Sequence, residues 1–117
     1  VHSMAHTLGS LFMIPHGLAN AILLPYVMEF NCGADYAKKA YDEMAKLVGC
    51  DDFTKKVKDL NAQIKIPSKL SEIIEDKDKY MAKLKEMATM AKADGCTKTN
   101  PIIPDLNQFE ELFKKAY

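Results

Sequence analysis

The sequence contains no arginine, and its 16 lysines are balanced by 16 acidic residues over 117 residues. Proteins that follow phosphates or read guanine depend on guanidinium forks and excess positive charge, so this composition argues against nucleic-acid binding. Cys32, Cys50 and Cys96 are odd in number and contain no Cys-x-x-Cys pair. This pattern indicates neither a disulfide framework nor a zinc knuckle, and it favours a reducing, cytoplasmic location.

Membrane and secretion signals are also weak. No lysine precedes the first apolar run, and no small-residue cleavage site follows it, which argues against a signal peptide. The apolar segment 11–28 reaches the minimum length of a membrane span, but it contains two prolines, His16 and Asn20 and has no flanking lysine. We therefore expect no membrane partner.

Charge is distributed unevenly along the chain. Glu29 is the only charged residue among positions 1–34, whereas positions 35–117 carry the other charges, and all three histidines lie at or before position 16. The length suffices for one domain with its own core. Because Val1 already belongs to a patterned segment, we expect residues 1–117 to be part of a longer protein.

Helical periodicity covers most of the chain, and no alternation typical of strands is present. The pattern predicts a first helix over 1–8, ended by Gly9, and a second from Pro15 to about Asn31. The second is apolar almost all round, which predicts burial on every side, and Pro25 predicts a kink.

Amphipathic helices with charged faces are predicted after position 34. They cover 34–49, a segment capped by Asp51 or Asp52 and stopped before Pro67, about 76–93, and the C-terminal segment from about Leu106. Residues 96–104 are predicted to form an ordered loop. The predicted fold class is all-α, a bundle-like domain of several helices.

The histidines are the candidates for chemistry. His2 and His6 are four residues apart and share one face of a helix, where two neutral imidazoles can bind one divalent metal. His16 lies ten residues further on. Spacing alone leaves an alternative open, because such a pair also arises by chance and serves packing or hydrogen bonding. Glu29, the nearest acid in sequence, is too far along the chain to complete a two-His-one-carboxylate set.

The amino-acid sequence around these histidines points to a protein family more specifically than their spacing does. It closely resembles the second signature of the iron-containing, group III alcohol dehydrogenases, in the segments 2–6, 8–9, 14–17 and 19–25. The resemblance continues at Asp94, Cys96, Asn100 and Pro101 and in the C-terminal helix. It therefore extends over the whole chain and is strongest from residue 2 to residue 31.

The resemblance implies roles for individual residues. In that family one Asp and three His hold the metal, and the two ligands that match here are His2 and His16. His6 matches a histidine that faces the nicotinamide and the substrate, which implies a catalytic and cofactor-binding role, and Cys96 is implied to lie near the cofactor ring. The other two ligands and the dinucleotide-binding domain are expected in an N-terminal half upstream of Val1.

The implied function is reversible hydride transfer between an alcohol, or its aldehyde or ketone, and NAD or NADP. Iron(II) is the implied metal, with zinc or manganese as alternatives, because imidazole and carboxylate ligands do not select iron uniquely. Residues 1–34 would form an apolar wall of the metal and active site. Residues 35–117 would form the helices with charged surfaces in the rest of the domain. A homodimer is compatible with this function. The alternative is a non-enzymatic helical module with packing histidines.

Two positions depart from the family pattern. Ile102 stands where many members have Arg after Asn-Pro, and Lys65 stands where many have Gly before Ile-Pro. These differences leave the cofactor preference and the local turn geometry open. Neither position is one of the implied metal ligands.

Overall fold

Seven α-helices form the regular structure of residues 1–117, all of which are described by the computed structural model. They are α1 (His2–Phe12), α2 (His16–Asn31), α3 (Asp35–Leu47), α4 (Phe53–Gln63), α5 (Lys77–Ala82), α6 (Leu84–Ala93) and α7 (Leu106–Ala116). Short 3-10 turns lie at Leu70–Glu72 and Gly95–Thr99. There is no strand, so the predicted all-α class is confirmed.

Aspartates set the start of two predicted helices. The Asp52 side chain accepts a hydrogen bond from the Lys55 amide at 3.0 Å and begins α4. Asp105 accepts from the Gln108 amide at 2.8 Å, and the Gln108 side chain accepts from the Asp105 amide at 2.9 Å. This capping box satisfies two backbone donors that α7 could not pair internally.

The predicted stop of the first helix at Gly9 is wrong. The helix α1 continues to Phe12 and ends at Met13, which adopts a left-handed conformation with φ 57° and donates to the Gly9 carbonyl. A glycine inside a helix costs about 1 kcal/mol relative to alanine. Leu11 and Phe12 pack against the core beyond it, and their burial offsets that cost.

The position of the second helix agrees with the prediction, but its burial does not. It begins directly after Pro15 and runs through Pro25 to Asn31 without ending. Its predicted burial on every side is wrong, because His16 is exposed and Leu24 is 37% exposed.

The fourth helix stops before Pro67, as predicted. It ends at Gln63, and Lys65 takes a left-handed conformation with φ 62°. Two other predictions differ from the structure. The predicted helix over 76–93 is interrupted at Lys83, which separates α5 from α6. A 3-10 turn, Gly95–Thr99, occupies the first part of the segment 96–104 that was predicted to be a loop.

The core lies between α1, α2, α6 and α7. Its largest fully buried side chains are those of Tyr80, Phe113, Met4, Leu8, Ile22, Leu23, Leu70 and Met87. The Tyr80 hydroxyl donates to the Phe113 carbonyl at 2.9 Å, which ties α5 to α7 inside the core. None of the seven helices combines the length and the apolar character that crossing a membrane requires.

Candidate functional site

Three imidazoles meet where the start of α1 lies beside the start of α2. The ring centroids of His2 and His6 are 6.1 Å apart, and the His16 ring lies 5.3 Å from each of them. The segment 13–15 returns the chain from the end of α1 so that His16 opens the next helix beside its first turns. The structure therefore brings all three histidines into one cluster.

The histidine cluster faces outwards, and the opposite side of α1 faces the core. Met4, Ala5 and Leu8 are buried, whereas His2, His6 and His16 are exposed. The His6 side chain keeps 46% of its surface accessible. Packing of the core therefore does not account for these histidines.

Asn20 fixes the state of the His16 ring. Its Nδ2 donates to the His16 carbonyl at 3.0 Å, which sets the orientation of the amide, and also lies 3.1 Å from His16 Nε2. Since Nδ2 can only donate, Nε2 must accept and carries no proton. An unprotonated imidazole nitrogen is the form that binds a metal. The Asn20 Oδ1 atom is buried and has no hydrogen-bond partner.

Asp94 joins the cluster from the distant part of the chain. Its Oδ2 lies 2.8 Å from His6 Nδ1, and its Oδ1 accepts from the Cys96 amide at 2.8 Å. Hydrogen bonds from the His6 side chain and the Cys96 amide hold the pKa of the Asp94 carboxyl below its ordinary value. An ionised carboxylate only accepts, so the proton between the two residues is on His6 Nδ1.

Cys96 completes the group around Asp94. The ligand atoms of His6, Asp94 and Cys96 all lie within 4.8 Å of one another. The thiol is exposed, and its hydrogen bond to Asp94 raises its pKa above the ordinary value. The negative charge of Asp94 thus disfavours the thiolate, which argues against Cys96 as a nucleophile.

Two sets of donors can hold a metal here. One is the predicted pair, His2 and His16, and the other is His6 with Asp94 and Cys96. In the first set, His16 Nε2 is unprotonated and accepts from Asn20. In the second set, His6 Nδ1 donates to Asp94, which leaves Nε2 as its unprotonated nitrogen. Each set therefore offers an imidazole nitrogen in the form that binds a metal.

The sequence pattern identified four of these residues as candidates, namely His2, His6, His16 and Cys96, and the structure places them together. The sequence pattern did not reveal the roles of Asp94 and Asn20. Asp94 lies 88 residues from His6, so no local spacing connects them. Glu29, the nearest acid in sequence, pairs with Lys58 instead.

Comparison with known proteins adds to this geometry. The C-terminal model of the Fe-containing alcohol dehydrogenase family matches residues 1–117. The alcohol dehydrogenase of Thermococcus barophilus is 37% identical over 119 residues, a match that covers 99% of this chain and 30% of that enzyme. The NADPH-dependent butanol dehydrogenase of Clostridium saccharobutylicum is 34% identical, with 99% and 32% covered.

Solved structures show the same relationship. The iron-containing alcohol dehydrogenase of Thermococcus thioreducens superposes with a TM-score of 0.91 at 39% identity, covering 99% of this chain and 31% of that one. A 1,3-propanediol oxidoreductase gives 0.85 at 30% identity, with 99% and 32% covered. The chain thus spans about a third of the length of these relatives. It belongs to the Fe-containing alcohol dehydrogenase family and corresponds to its C-terminal region.

Proposed function

We propose that this chain is the metal-binding helical part of an oxidoreductase that interconverts an alcohol and its aldehyde or ketone with NAD or NADP. The observation that carries the proposal is the exposed cluster of His2, His6 and His16 beside Asp94 and Cys96, in a chain of this family. The remaining metal ligands and the dinucleotide-binding half would come from outside residues 1–117.

His2 and His16 would hold the metal. Their rings are adjacent, both are exposed, and His16 Nε2 has a free electron pair apart from its contact with Asn20. Metal binding would take the place of that contact. Iron is the metal in the family's name, and zinc and manganese also suit imidazole with carboxylate. Two ligands of this chain alone would bind the metal weakly.

His6 would handle the proton of the reaction. Its Nδ1–H is engaged by Asp94, which leaves Nε2 as the atom that accepts or returns a proton. The ring lies between His16 and Asp94, so a substrate oxygen held at the metal side would be within its reach.

A metal held by His2 and His16 would supply Lewis-acid chemistry that lowers the pKa of the alcohol oxygen, and a nicotinamide would supply the hydride acceptor or donor. Cys96 lies within 4.8 Å of the His6 nitrogen, which supports a place for the cofactor ring over these two side chains. Residues 1–34, with one charge, would form the wall that keeps water from this step.

A chimaeric enzyme tests the proposal. Residues 1–117 would replace the matching C-terminal region of the Thermococcus barophilus enzyme, and alcohol-dependent reduction of NAD and NADP would be measured with iron(II). We expect activity that His2→Ala and His16→Ala each abolish. A folded, metal-loaded chimaera without alcohol-dependent cofactor reduction, or one that stays fully active in both variants, would contradict the assignment.

A further inference from the structure

The two carboxylate oxygens of Asp94 have separate tasks. Oδ1 accepts from the Cys96 amide and starts the 3-10 turn Gly95–Thr99, and Oδ2 accepts from His6 Nδ1. A cap needs one oxygen, and Ser, Thr or Asn would supply it equally well. The second oxygen is what an aspartate adds at this position, and it points to a role beyond capping.

The neutral imidazole has two tautomers, and the partner of one nitrogen decides which is present. With Asp94 accepting at Nδ1, the proton of neutral His6 stays there, and Nε2 carries the free electron pair. Without this partner the ring is free to place its proton on Nε2 and to rotate. Asp94 can only accept, because its ionised carboxylate carries no proton, and its other oxygen already accepts from the Cys96 amide.

We propose that Asp94 is a positioning residue that keeps His6 in the Nδ1–H tautomer and presents Nε2 as the proton acceptor for the alcohol. The inference rests on the proposed function for the identity of the substrate. The alcohol O–H proton passes to Nε2, while the C–H hydride passes to the nicotinamide. The alcohol loses two electrons, the cofactor gains them, and the resulting imidazolium is stabilised by the adjacent Asp94 carboxylate. In aldehyde or ketone reduction the same proton returns to oxygen.

The structure also links this tautomer to the turn that carries Cys96. The same carboxylate fixes the start of Gly95–Thr99 and the His6 ring. Thr97 of the turn is buried and donates to the Ala91 carbonyl at 2.7 Å, with its hydroxyl also 2.7 Å from the Ser3 hydroxyl. The position of Asp94 is therefore set by buried contacts on both α1 and α6, as a positioning residue requires.

The substitution Asp94→Asn should reverse the tautomer of His6, and it changes the shape of the side chain at position 94 very little. The amide Oδ1 remains on the Cys96 N–H, so Nδ2 faces His6 Nδ1 and donates to it, which forces the proton onto Nε2. The measurement is long-range ¹H–¹⁵N NMR on the ¹⁵N-labelled, metal-free 117-residue chain, at a pH where His6 is neutral, with His6→Gln to assign the signals. We expect Nδ1–H in the wild type and Nε2–H in Asp94→Asn.

Asp76→Asn is the matched control. Asp76 caps α5 by accepting from the Lys79 amide at 2.9 Å, but it does not contact the histidines. This variant should leave the His6 tautomer unchanged. Nε2–H in the wild type, or Nδ1–H retained in Asp94→Asn, overturns the proposal. Comparing the urea midpoints of both variants shows whether the substitutions affect folding equally.

Activity of the chimaera separates this inference from the proposed function. Asp94→Asn is expected to lower kcat by about 10²-fold, the range of a lost proton-transfer contribution, with KM little changed. If the chimaera has no activity while the tautomer inverts as expected, the positioning role stands and the proposed reaction fails. An active chimaera with unchanged kcat in Asp94→Asn overturns the positioning role itself.

Discussion

The helix pairs α1–α2 and α3–α4 are similar in length but differ in what they bury. The first pair carries one charge, Glu29, and contributes much of the core. In the second pair α3 buries only Ala37 and Ala45, and α4 buries no residue. An uncharged pair thus holds the domain together and presents the histidines, whereas the charged pair lies at its edge.

Ion pairs do not compensate for this difference. Lys38–Asp42 on α3 and Lys55–Asp59 on α4 are exposed pairs spaced four residues apart. Such exposed pairs add little to stability, because water and salt screen the charges. Stability and the candidate site are therefore both concentrated in α1, α2 and the helices packed on them.

Matched leucines give the largest expected contrast. Leu8 on α1 is fully buried, and Leu60 on α4 is 53% exposed. We expect Leu8→Ala to lower the free energy of unfolding by about 2–5 kcal/mol, because it leaves a cavity in the core. Leu60→Ala should change it by less than about 0.5 kcal/mol. Urea unfolding measures both, and equal losses would remove the distinction between the two helix pairs.

Metal titration sharpens the comparison within α1 and α2. We expect His2→Ala and His16→Ala each to weaken zinc or iron(II) binding to the chain by at least about tenfold, since each removes one imidazole ligand. His6→Ala is the control and should have the smaller effect. A larger loss in His6→Ala would instead place the metal with Asp94 and Cys96.

Helix caps test the same contrast at smaller scale. Asp105 caps α7, which lies in the core, and Asp52 caps the peripheral α4. Asp105→Ala should lower global stability by about 1 kcal/mol. Asp52→Ala should mainly speed hydrogen exchange of the first α4 amides. An equal global loss in Asp52→Ala would show that α4 unfolds together with the core.

The smallest expected effect concerns Glu72. Hydrogen bonds from the Ser68 side chain and from the Lys69 and Ser68 amides lower its pKa. A group whose pKa is lower in the folded state stabilises the fold above its unfolded pKa of about 4.3, and this contribution is lost as the pH falls through the folded value.

Glu72→Gln should therefore be less stable than the wild type at neutral pH, and the difference should shrink as the pH falls below about 4. Urea midpoints at several pH values measure this, with the exposed Glu75→Gln as the control. A difference that persists or grows on acidification would contradict the assigned hydrogen bonds.

Much of the fold follows from local sequence signals. Periodicity predicted α3, α4 and α7 with small errors, and Asp52 was one of the two residues predicted to cap α4. The stop at Gly9 failed because tertiary packing of Leu11 and Phe12 outweighs glycine's helix cost. Lys65 takes a left-handed conformation with φ 62°, which a side chain adopts with strain and which the local periodicity did not predict.

The candidate site was predicted unevenly for a physical reason. The resemblance identified His2, His6, His16 and Cys96 because their spacing and flanking text are local features of the sequence. The contact between His6 and Asp94 depends on how α1 packs against α6, which no periodicity reveals. The metal roles of His2 and His16 stay predictions.

The central claim is that α1 and α2 supply two imidazole ligands to one metal. Anomalous X-ray diffraction at the iron edge, on crystals of the chimaeric enzyme loaded with iron(II), tests it most directly. We predict a single anomalous peak, at coordination distance from the ring nitrogens of His2 and His16. A peak at coordination distance from His6, Asp94 and Cys96, or no ordered iron near any of the three histidines, would contradict it.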